Sequence, residues 1–116
     1  MYIAIPITGA NAGCMMQFTP REERTLCHAL TLYADAIDSD MADDISRYTP
    51  NDARKIVRTA QALAQKFDTG RPRTVYTGAQ IVIIYDALNM LSDDFGGCDL
   101  TDKLIDTLRP YALRHC

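Results

Sequence analysis

Three segments of this chain open in nearly the same way. Phe18-Thr19-Pro20-Arg21-Glu22 is matched thirty residues later by Tyr48-Thr49-Pro50-Asn51-Asp52, and Tyr76-Thr77-Gly78-Ala79-Gln80 follows after a further 28. Leu100-Thr101 begins a looser fourth copy. Each has the chemistry of a helix start. A Thr hydroxyl accepts one of the backbone N–H groups that a first turn leaves unpaired, and Pro at the first helical position sacrifices no intrahelical bond. The acid or amide three residues after Thr (Glu22, Asp52, Gln80) can return a bond to the cap or favour the positive helix end. The aromatic before each Thr is placed for a hydrophobic staple, most clearly Tyr76 with Ile81.

Helical apolar spacing follows every start. Leu26, Ala29, Leu30, Tyr33 and Ile37 form one stripe; Ile56, Ala60, Leu63 and Phe67 form a second. Ile84, Ala87, Leu88, Leu91 and Phe95 form a third, and Leu104, Ile105, Leu108 and Tyr111 a fourth. The pattern predicts helices near 20–38, 50–67, 78–93 and 102–114. Ile81 to Ile84 is apolar all round, which marks the third helix as the most buried. The fold expected is all-α: one four-helix bundle-like domain over 18–116, preceded by a short extended β segment and loop over 1–17. A chain of 116 residues, 47% hydrophobic and 23% charged, suits one domain with its own core.

The N-terminal segment differs. Tyr2-Ile3-Ala4-Ile5-Pro6-Ile7 alternates like a strand, and Pro6 confines it to an edge or a short stretch. Thr74-Val75-Tyr76 is the partner available within the chain. Otherwise the strand pairs across a homodimer or adds to another protein's sheet. Met15-Met16 beside it offers an adaptable apolar contact, with core packing expected for at least one of the two. The stretch Ile5 to Gly13 resembles the strand and Gly-rich turn of dinucleotide-binding proteins, but only Cys14 to Phe18 separates it from the next helix start, and no strand–helix alternation follows.

No constellation for catalysis emerges. His28 and His115 are the only histidines, and neighbouring Cys27 and His28 diverge by about 100° on a helix. Cys14, Cys27, Cys98 and Cys116 have no C-x-x-C spacing, so free thiols are expected; Cys27-His28 and His115-Cys116 would supply zinc ligands only if the first and last helices met. Asp43-Asp44 and Asp93-Asp94 lack calcium-loop spacing and read as solvated helix ends. The first charge is Arg21 and no run reaches the roughly 18 apolar residues of a membrane span. The expectation is a cytoplasmic protein that is not an enzyme and uses no cofactor or metal.

Charge is segregated along a chain of net −3. Residues 25–46 hold Asp35, Asp38, Asp40, Asp43 and Asp44 with no Lys or Arg. Residues 47–73 hold Arg47, Arg54, Lys55, Arg58, Lys66, Arg71 and Arg73 against Asp52 and Asp68, and residues 74–108 set six Asp against Lys103. Patches of fixed sign steer encounters with a complementary partner and reject others. The function expected is therefore a small stoichiometric protein-binding module: an inhibitor, adaptor or accessory subunit. Phage-encoded inhibitors of host defence or nucleic-acid enzymes offer an analogy at the level of fold and charge. The binding residues expected are the acidic Asp35, Asp38, Asp40, Asp43 and Asp44, or the basic Arg54, Lys55, Arg58, Arg71 and Arg73.

The alternative is nucleic-acid binding. Phe18-Thr19-Pro20-Arg21-Glu22-Glu23-Arg24 resembles the opening of LuxR-type helix-turn-helix domains. That resemblance implies a short scaffold helix over Asp43 to Arg47 and a recognition helix from Pro50, with Arg54 and Arg58 one turn apart on its contacting face. The chain departs from the family in lacking the turn glycine, and its acidic segment 35–44 would lie near the phosphates.

Overall fold

The computed structural model describes residues 2–3, 13–44, 48–69, 74–96 and 99–114. It is an all-α, four-helix bundle-like fold with a small sheet at one side. The helices are α1 (Pro20–Ala42), α2 (Pro50–Asp68), α3 (Gly78–Phe95) and α4 (Asp99–Arg114). Strands β1 (Tyr2–Ile3), β2 (Gly13–Gln17) and β3 (Thr74–Thr77) form an antiparallel sheet in the order β1-β2-β3. No helix of the described residues is long and apolar enough to cross a membrane.

Three of the four helix starts are built as the sequence predicts. Thr19, Thr49 and Thr77 are N-caps, each hydroxyl accepting the backbone N–H three residues on at 3.2 Å. Thr19 and Thr77 complete reciprocal boxes, in which Glu22 and Gln80 accept the cap's own N–H at 2.8 and 2.9 Å. The fourth start differs: α4 begins at Asp99, and Thr101 lies inside it, 2% exposed. Asp99 and Asp102 supply first-turn negative charge there.

One apolar cluster joins the elements. α1 packs chiefly on α2, while α3 touches α1, α2, α4 and the sheet. Ile81, Ile84, Ala87 and Leu88 have no exposed surface, so α3 is the central element. α4 packs on α3 through Leu104, Leu108 and Ala112, and Arg109 Nε donates to Tyr85 Oη at 3.3 Å across that contact. Phe18, Phe67 and Tyr76 cluster where α1 and α3 begin and α2 ends.

The sheet corrects the reading of the N-terminus. Within the 1–17 segment of extended arm and loop, residues 13–17 form β2, which is the central strand. Thr74–Tyr76 joins the same sheet but pairs with β2, in the register Cys14↔Tyr76, Met15↔Val75 and Met16↔Thr74. β1 pairs with the other edge of β2, Tyr2 opposite Gln17 and Ile3 opposite Met16. Met16 is core, 1% exposed. Residues 4–12, with Pro6 and the Gly-rich turn, lie outside the described residues.

A candidate acidic groove at the ends of two helices

Two stripes of identical spacing face each other across a groove of about 450 Å³. α1 contributes Tyr33, Ala36, Ile37 and Asp40; α3 contributes Asp86, Asn89, Met90 and Asp93, with Asp94 beside them. Positions i, i+3, i+4 and i+7 lie on one helix face, so each helix presents one continuous strip to the groove. Tyr48, from the connection into α2, completes the wall. Ile37 and Tyr33 are buried core residues, so the floor is fixed, while Asp40, Asp93 and Asp94 are exposed at the mouth.

The charges are of one sign. Four carboxylates (Asp40, Asp86, Asp93, Asp94) line this groove, and no Lys, Arg or His is among the described lining residues. Both helices also end here. A helix C-terminus carries roughly half a negative charge, which Lys or Arg in the last turn normally offsets. Neither α1 nor α3 has a basic residue in its last turn. Asp43 caps α1, and Asp44 follows in the left-handed region with φ 57°, which Asp tolerates better than most residues. Each misplaced carboxylate at such an end costs about 0.3–1 kcal/mol at low salt. That is small beside a total stability of about 5–15 kcal/mol. The arrangement is unfavourable for an isolated bundle.

The predicted acidic run is thus divided by the helix. Asp40 faces the groove, whereas Asp38, two residues earlier, faces a smaller recess on α1 and α2 with Met41, Arg54, Val57, Arg58 and Gln61. Asp35 is exposed one turn from Asp38, and Asp43 and Asp44 form the turn that closes α1. A separate scaffold helix beginning at Asp43 is therefore not what these residues form; residues 45–47 lie outside the described residues.

Arg54, Lys55 and Arg58 are exposed on α2. Arg54 donates to Asn51 Oδ1 at 3.4 Å, a weak local bond. Arg54 and Arg58 do share a face of α2, as their spacing predicts, and line one recess with Asp38 of α1. Arg71 and Arg73 lie outside the described residues, as do His115 and Cys116. Cys27 is half-buried and His28 exposed on α1.

Asp86, Asp93 and Asp94 are the residues that sequence reasoning left out of the site. Asp93-Asp94 was visible as an acidic pair, but its pairing with Asp40 depends on how α3 lies against α1. The helix periodicity carried a usable signal: Asp86, Asn89 and Asp93 interrupt the apolar character of α3 at helical spacing. The chain matches no family model, and no curated protein or solved structure matches it.

Proposed function

We propose that the protein is a stoichiometric protein-binding module, an inhibitor, adaptor or accessory subunit, whose acidic groove receives a basic segment of its partner. One observation carries this reading: two helix C-termini without a basic residue in their last turns and four carboxylates converge on a single concave surface. A Lys or Arg side chain entering the groove would meet charge at the mouth and the apolar surfaces of Tyr33, Ile37 and Met90 along its stem. Long basic side chains favour that combination. The role is one of binding rather than catalysis, and fixed negative charge there would speed encounter and set orientation.

The test is capture of partners from native lysate by the tagged protein, with and without nuclease. A protein retained in one-to-one ratio after nuclease, and released by raised salt, supports the reading. Nucleic acid alone, lost on nuclease treatment, would replace it with a role for Arg54, Lys55 and Arg58. Light scattering on the purified chain fixes whether the binding unit is a monomer or a homodimer.

A further inference from the structure

We propose that the basic face of α2 from one copy docks in the acidic groove of a second copy, so that the chain associates with itself. The inference rests on the groove being a binding surface and adds how that surface is regulated. A foreign partner must displace α2 of a neighbouring copy.

α2 supplies the complementary surface. Arg54, Lys55 and Arg58 are exposed and fall within an arc of about 100° around the helix. Gln61, Ala62 and Gln65 extend that face, exposed and uncharged. Asp52 lies outside the arc, beyond Lys55. Asp38 of α1 lines a recess with Arg54 and Arg58, yet among the described residues no ion pair joins it to either. In the groove, Asp40, Asp93 and Asp94 are exposed and likewise make no ion pair among the described residues.

The two surfaces lie at one end of the fold but are kept apart within one copy. Tyr48, which lines the groove, stands two residues before Pro50, the first residue of α2. Asp40 on the groove and Asp38 on the α2 recess are about 160° apart around α1, so the last turns of that helix stand between the two charges. A second copy brings both signs at once: its α2 meets the groove, and its groove is open to another α2. Partly buried Met41 and Val57 beside the basic face, and Met90 in the groove, add adaptable apolar surface to the contact.

The experiment is sedimentation velocity of the purified full chain over a range of concentrations, at low and at raised salt. A weight-average mass that exceeds one chain, rises with concentration and falls with salt is expected, because salt screens exposed charges. A limiting dimer marks two reciprocal contacts about a two-fold axis, and continued growth marks head-to-tail contacts; either supports the proposal. The Arg54→Glu, Arg58→Glu variant and the Asp40→Arg, Asp93→Arg, Asp94→Arg variant should each weaken self-association about tenfold or more. An equimolar mixture of the two should recover it, because each reversed surface then meets its complement on the other variant. Recovery also excludes misfolding as the cause of either loss. A monomer at every concentration in low salt, undiminished association in either variant, or a mixture that stays monomeric overturns the proposal. Partner capture keeps the two readings separate. A monomeric chain whose groove still captures a protein overturns self-association alone, whereas groove-dependent self-association with no protein captured overturns the foreign partner alone.

Discussion

The ring of Phe18 meets that of Phe67 edge to face, with centroids 5.4 Å apart and planes at 81°. Phe18 immediately precedes the cap of α1, and Phe67 lies in the last turn of α2. Tyr76, which precedes the cap of α3, stacks on Phe67 at 5.8 Å, and Lys66 Nζ sits 4.7 Å from the Tyr76 centroid. The aromatics that precede two helix starts thus converge on one ring. Phe67→Ala should cost about 3–5 kcal/mol in denaturant unfolding. A double-mutant cycle with Phe18→Leu and Phe67→Leu should return a coupling of about 0.5–1.5 kcal/mol; additive losses would mean that the rings merely share a core.

The caps predict an ordered series. Thr19→Ala and Thr77→Ala each remove an acceptor from a reciprocal box and should cost about 1–2 kcal/mol. Thr49→Ala, at a cap whose hydroxyl accepts the Asp52 N–H without a reciprocal box, should fall nearer about 0.5–1 kcal/mol. Thermal or urea unfolding of the three variants checks the order.

The helix starts were legible because a cap is a local device. Thr19, Thr49 and Thr77 act on N–H groups three residues away, so neighbouring letters suffice to find them. Thr101 misled because its letters match a cap while it lies buried inside α4, which begins at Asp99. β2 was illegible for the opposite reason. Gly13-Cys14-Met15-Met16-Gln17 contains no β-branched or aromatic residue, and its extended form depends on pairing with both β1 and β3. The groove lay between these cases: Asp40 stood out in its acidic run, but Asp86, Asp93 and Asp94 join it only through the tertiary contact of α3 with α1.

Carboxylates at the ends of α1 and α3, whose last turns hold no basic residue, make a prediction of opposite sign. Asp40→Asn, Asp93→Asn and Asp94→Asn should each raise stability, by up to about 1 kcal/mol at low salt. The gain should shrink as ionic strength rises, because exposed charges are screened. Melting curves at two salt concentrations test both statements.

Glu23 predicts a pH dependence. Its pKa in the folded chain lies above the ordinary 4.5, so the folded state holds the proton more tightly than the unfolded state. The cost of the buried carboxylate is complete above the folded pKa and disappears as pH falls through it to below the ordinary value. Glu23→Gln should therefore be more stable than the unaltered chain at pH 7, with an advantage that narrows towards pH 4. A pH-independent difference in unfolding free energy would remove burial of this carboxylate as the cause.

The most direct test of the acidic groove is quantitative partner capture by the Asp40→Asn, Asp93→Asn, Asp94→Asn triple variant beside an Arg54→Glu, Arg58→Glu variant. The groove account predicts that the triple variant, at least as stable as the unaltered chain, loses the nuclease-resistant partner by tenfold or more, while the α2 variant retains it. Undiminished capture by the triple variant would contradict the account and move the binding surface elsewhere on the molecule.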